Sequence, residues 1–148
     1  MEKKTILITG GAAGFGKEVA KKVAAKGWRI IIGARNEKKM DAAKQEITEA
    51  TGNSDIITLP LDLSSLCSVR AFAEKVKELG YPIDSFLGNA GISSTPGLTE
   101  DGLDMVFETN YLGHALLTWL LLPVMSEDGK ILLISSDKIG RASCRERV

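Results

Sequence analysis

The chain has 148 residues, 44% of them hydrophobic and 26% charged, with 19 Lys and Arg balanced by 19 Asp and Glu. That size and balance suit one soluble domain with a packed core and argue against a basic nucleic-acid binder. The longest apolar stretch, Ala115 to Val124, falls well short of the ~20 residues a bilayer span requires, so no membrane crossing is expected.

The N-terminal MEKKTILITG runs straight into a strand pattern with no signal-peptide core, which predicts a cytoplasmic protein. Thr5 to Thr9 is a β-branched run, and Gly10 to Gly16 follows as a glycine-rich turn. Val19, Ala20, Val23 and Ala24 then recur at helical spacing until Gly27. The alternation repeats: Trp28 to Gly33 reads as strand, Glu37 to Ala50 as helix with Met40, Ala43, Ile47 and Ala50 inward, and Asp55 to Leu63 as strand. Ser64 or Ser65 caps a third helix whose stripe is Val69, Phe72, Ala73, Val76 and Leu79. Ile83 to Leu87 makes a fourth strand. A long helix is predicted from about Leu103 to Leu121, capped by Thr99 with Glu100 and Asp101 in the first turn, and Lys130 to Ser136 is a fifth strand. Tyr111 and His114 read as helix-packing residues, and Trp119 as core or as a helix face that pairs with another subunit.

Continuously apolar strands separated by amphipathic helices are buried on both faces, the mark of a parallel sheet sandwiched between helices. The predicted fold is α/β, a doubly wound parallel sheet of Rossmann type. Right-handed crossovers make 3-2-1-4-5 its natural strand order and put ligands at the carboxyl ends, where the winding reverses between strands one and four. Cys67 and Cys144 are too few for a disulfide framework, and the single His114 has no partners for a metal site.

The first strand-helix turn, TGGAAGFG, spaces Gly10, Gly14 and Gly16 as G-x-x-x-G-x-G. Missing side chains let the backbone approach a pyrophosphate, and the following helix offers its unpaired N–H groups to the phosphates. With Asp62 after strand three, Asn89-Ala90-Gly91 after strand four, Asn110 within TNYLGH and Ser135-Ser136 after strand five, this turn makes the chain resemble the N-terminal part of a short-chain dehydrogenase/reductase. The stretch from Thr99 to Thr118 looks closest to retinol-dehydrogenase-like or protochlorophyllide-reductase-like members. Gly88 stands where the family often has an asparagine.

The resemblance implies a nicotinamide cofactor held by Gly10, Gly14, Phe15, Gly16, Arg35, Asp62, Leu63, Asn89, Ala90 and Gly91. Asp62 and Leu63 would contact the adenine. About 18 positions after Gly16 the family selects its cofactor by charge, and here Ala34 is followed by Arg35, which favours the 2′-phosphate of NADP over NAD. Ser136 matches the serine that polarises a substrate carbonyl, and Asn110 the asparagine that supports a proton relay. The implied reaction is hydride transfer between NADP(H) and a small carbonyl or alcohol, by a parent protein expected to be a homo-oligomer. A non-catalytic NADP-binding sensor or scaffold remains the alternative. The longer epimerase branch of the superfamily has a different glycine spacing.

The family's proton-donating tyrosine falls about 13 residues after its serine, one position past Val148, with its lysine further on. Neither Tyr81 nor Tyr111 is followed by lysine at the fourth place. The last ten residues, IGRASCRERV from Ile139 to Val148, resemble one reading frame of a common sequencing adapter. Residues 1–137 are therefore expected to be an NADP-binding domain cut after strand five, incomplete as a fold and inactive alone, with 138–148 a non-native tail.

Overall fold

Side chains one residue apart on a strand point to opposite faces, so a strand apolar at every position needs cover on both. Such is the case for β1 (Thr5–Thr9), whose five residues are all buried. The computed structural model describes residues 2–135. Parallel to β1 lie β2 (Arg29–Ala34), β3 (Ile56–Pro60), β4 (Ile83–Gly88) and β5 (Met125–Leu133), in the order β3-β2-β1-β4-β5. This is the predicted order, and five strands are all that the described residues supply.

The register divides the core in two. Leu7, aligned with Ile31 and Phe86, faces α3 (Leu66–Leu79) and α5 (Gly113–Leu121), packing with Phe72, Val76, Leu117 and Leu121. Ile6 and Ile8 face the other way with Ile30 and Ile32, toward Ala20 and Ala24 of α1 (Gly14–Ala24) and Met40 and Ile47 of α2 (Glu37–Thr51). Asn36 caps α2 by accepting from Lys39 N at 3.0 Å, and Ser65 rather than Ser64 caps α3, accepting from Ser68 N at 3.2 Å. Ala50 is exposed, since the buried stripe of α2 ends at Ile47.

The predicted long helix starts later and is not uniform. Asp104 is its cap, accepting from Phe107 N at 2.8 Å, and one turn, α4 (Met105–Phe107), passes through a π-helical turn (Glu108–Leu112) into α5. Thr99 does not cap it: its hydroxyl pairs with the buried Glu108 carboxylate, while Glu100 pairs with Ser65 and Asp101 accepts from Leu66 N at 2.9 Å. The segment before the helix is thereby tied to the start of α3. Close contact accompanies the π turn, for a Cβ on Gly113 would lie 2.5 Å from the Leu63 carbonyl oxygen.

Tyr111 and Trp119 are 64% and 72% exposed, so Tyr111 does not pack into the core as predicted, and of the two readings of Trp119 the core one fails while the helix face for another subunit stands as a proposal. Trp119 sits two residues from both Leu117 and Leu121, about 200° round the helix from the buried stripe. β5 also begins earlier than predicted, at Met125, because its pairing with β4 shifts between Ile83 and Ser85, aligned with Met125 and Lys130 respectively. Among the described residues β5 is an edge of the sheet, with Ile131, Leu132 and Leu133 exposed.

Candidate functional site

The winding reverses between β1 and β4, and there the carboxyl ends of the strands open into a cleft of about 280 Å³. Its walls come from four connections. Gly10 follows β1, Arg35 follows β2, Leu61 and Leu63 follow β3, and Asn89 to Ile92 follow β4. A second cleft of about 850 Å³ shares Asn89 to Ile92 and continues over Asn110, His114 and the end of β5, with Phe107, Tyr111, Leu133 and Ile134 making it mostly apolar.

The glycine turn is shaped by close approach. Gly10 has φ +68°, and a Cβ there would lie 2.9 Å from Ala90 Cα. At Gly16 a Cβ would sit 2.5 Å from the Gly10 carbonyl oxygen and 2.6 Å from Asn89 Nδ2, which itself donates to Gly10 O at 3.3 Å. Any side chain at either position would drive the turn away from the loop after β4. The N-terminus of α1 is available to an anion: its cap position is Ala13, which offers no side-chain acceptor, and no acid lies in its first turn.

Thr9 joins the two loops. Its hydroxyl accepts from Asn89 N at 3.0 Å and Ala90 N at 3.1 Å and lies 2.8 Å from His114 Nε2. Asn110, inside the π turn, accepts from Ile92 N at 2.8 Å through Oδ1 and donates to Ile92 O at 2.7 Å through Nδ2. The Asn89 to Ile92 floor is therefore held at both ends. Burial holds the His114 imidazole below its ordinary value of 6.5, against a smaller opposing effect of the Asn110 carbonyl. Burial also pushes the Glu108 carboxyl up, opposed by the Thr99 hydroxyl.

Of the residues singled out in the sequence, Gly10, Arg35, Leu63, Asn89, Ala90 and Gly91 line the first cleft together and Asn110 lines the second. Gly14, Phe15 and Gly16 open α1; Phe15 is 62% exposed, and Gly16 packs beneath the turn. Asp62 lies between the two lining leucines with its carboxylate engaged by Ser64 N at 2.9 Å and Ser64 Oγ at 2.6 Å. Ser136 lies outside the described residues, as does the tail from 138. Sequence reading missed Thr9, a polar side chain at the end of an otherwise aliphatic strand, and Thr109, which lines the first cleft with a buried hydroxyl lacking a partner among the described residues.

These features fit a dinucleotide phosphate. Main chain can approach it at Gly10, amide groups are free at α1, and no carboxylate stands at the end of β2, where Ala34 precedes Arg35 and Asn36 is occupied in capping. The unmet Thr109 hydroxyl adds a polar group to the same wall.

A family model described as short chain dehydrogenase matches residues 4–144. Among curated relatives, the short-chain dehydrogenase TIC 32 B, chloroplastic, of Brassica napus is 40% identical over 140 residues, covering 89% of this chain and 44% of that protein. Retinol dehydrogenase 13 of Homo sapiens is 40% identical over 136 residues, 90% of this chain and 41% of its own. The chain thus spans less than half the length of these relatives. Among solved structures, an alcohol dehydrogenase from Thermococcus sibiricus complexed with 5-hydroxy-NADP superposes with a TM-score of 0.79 at 28% identity, covering 92% of this chain and 59% of that one. A short chain dehydrogenase from Shigella flexneri 2a str. 301 complexed with NADP gives 0.79 at 29% identity, covering 95% and 62%.

Proposed function

The chain belongs to the short-chain dehydrogenase family, and from that premise we propose that it forms the nucleotide-binding part of an NADP-dependent oxidoreductase that interconverts a carbonyl compound and an alcohol. When bound, the cofactor supplies or accepts a hydride at its nicotinamide ring. The residues of this chain hold and orient it. Gly10 and the free amide groups of α1 take the pyrophosphate, with Gly16 keeping the turn tight. Arg35 grips the 2′-phosphate with charge-assisted hydrogen bonds at the end of β2, and Leu61 and Leu63 flank the adenine.

Asn89, Ala90 and Gly91, common to both clefts, carry the cofactor from its phosphate half toward the apolar cleft. That cleft suits a carbonyl substrate of largely apolar character, and Asn110 on its wall supports the proton relay. Ser136 is assigned to polarise the carbonyl oxygen on the strength of the family resemblance. Trp119, exposed on the outer face of α5, gives the parent protein apolar surface for pairing with a second copy.

The observation that carries the reading is the side-chain-free cradle at Gly10 and Gly16 with Arg35 on the same cleft. The test is Arg35→Ala. One lost charged hydrogen-bonding group corresponds to roughly ten- to a hundredfold weaker NADPH binding, with NADH binding nearly unchanged. Equal losses for the two nucleotides would remove Arg35 from phosphate recognition.

A further inference from the structure

We infer that His114 is a positioning residue: held as the neutral Nδ1–H imidazole, it joins the two hydrogen-bonded anchors of the Asn89 to Ile92 floor into one closed brace. The inference follows from counting protons. A hydroxyl accepts two hydrogen bonds and donates one. Thr9 Oγ1 already accepts from the Asn89 and Ala90 amides, at 3.0 and 3.1 Å, so its own proton is left for His114 Nε2 at 2.8 Å. Nε2 must then be bare, and the ring proton sits on Nδ1, which donates to the Asn110 main-chain carbonyl at 3.1 Å.

Asn110 completes the circuit. Its side chain grips both backbone polar groups of Ile92, at 2.8 and 2.7 Å, three residues along from Asn89. The four-residue floor is thus pinned at one end by Thr9 and at the other by Asn110, and His114 is the strut between them. No other tautomer satisfies every group. A proton on Nε2 would face Thr9 Oγ1 with a third donor and leave the hydroxyl proton without an acceptor, while a bare Nδ1 would meet the Asn110 carbonyl lone pairs. At 4% exposure the ring has little access to water as a substitute partner. The consequence for ligand binding rests on the reading above, because the braced segment is the wall that both clefts share.

Because the sequence holds a single histidine, a long-range ¹H–¹⁵N spectrum of the chain at neutral pH reports this ring alone. The expected result is a protonated Nδ1 and a bare Nε2; the reverse tautomer, or an exchanging mixture, overturns the inference. His114→Gln keeps an acceptor for Thr9 but loses the donor to Asn110. Amide exchange at Ile92 should then quicken about tenfold, the effect of one lost hydrogen bond, while Ile31 in the core of β2 exchanges as before. Parallel acceleration at Ile31 would mean that His114 only fills space. His114→Asn, placing a donor near Nδ1, should restore slow exchange at Ile92. NADPH titration of the unaltered chain separates the two claims: no binding with the expected tautomer and exchange refutes the cofactor reading and leaves the brace standing.

Discussion

The three glycines of the first turn are needed for different reasons, and alanine substitution should separate them. At Gly14 a Cβ would meet nothing within 4 Å, but φ is +53°, so Gly14→Ala carries left-handed strain alone, about 1–2 kcal/mol. At Gly16 φ is not positive, and the penalty is contact: a Cβ 2.5 Å from Gly10 O and 2.6 Å from Asn89 Nδ2 must displace backbone, for about 1–3 kcal/mol of overpacking. The Asn89 to Gly10 hydrogen bond at 3.3 Å goes with it, about 1 kcal/mol more. Gly10→Ala combines φ +68° with a Cβ 2.9 Å from Ala90 Cα, so strain and overpacking together reach roughly 2–5 kcal/mol. Urea denaturation followed by tryptophan fluorescence measures the series, expected to rise from Gly14 to Gly16 and Gly10. NADPH affinity should survive at Gly14 and fall at the other two. Equal destabilisation at Gly14 and Gly10 would refute the assignment of close approach to the β1 turn.

The pH dependence has components of both signs. His114 is held below 6.5 by burial, so the folded state binds its proton less readily than the unfolded chain; stability is present above 6.5 and declines as pH falls through the lowered value, a decline that His114→Gln should abolish in denaturation measured across the acid range. Glu108 acts oppositely, since burial raises its carboxyl above the ordinary 4.5, and stability present below 4.5 is lost as pH rises through the raised value; Glu108→Gln should therefore remove that loss. On the surface, hydrogen bonds from Lys17 and Lys21 hold Glu46 at about 2, a contribution present above 4.5 and lost as pH falls toward 2. Because this cluster lies half-buried at the surface, raised salt should shrink the difference between wild type and Glu46→Gln; a difference unchanged by salt would contradict the electrostatic account.

Much of the fold was legible because it is written in local periodicity. The aliphatic runs of β1 to β4 and the stripes of α1 and α3 each specify an element, and right-handed crossovers leave one natural strand order, which the sheet follows. The elements that departed from expectation depend on contacts distant in sequence. The π turn forms where Gly113 meets the Leu63 carbonyl and Glu108 finds Thr99, and the early start of β5 depends on a register shift against Ile83. Neither leaves a periodic trace. The core reading of Trp119 failed because aromatic character was read without its angle round the helix.

The site divides along the same line. Gly10, Arg35 and Asn89 were readable as residue types at strand ends, whereas Thr9 is a hub only because residues 80 and 105 positions away fold onto its hydroxyl. His114, read as a packing residue, does pack, but its two ring nitrogens are committed to partners no spacing rule connects.

The central claim is that the carboxyl ends of this sheet hold NADP(H), and a ¹H–¹⁵N spectrum of the chain titrated with NADPH tests it residue by residue. Saturable shifts concentrated at Gly10 to Gly16, Ala34 and Arg35, Leu61 to Leu63 and Asn89 to Ile92 are predicted. A titration that leaves those amides unmoved, or moves amides on the opposite edge of the sheet instead, would contradict the account.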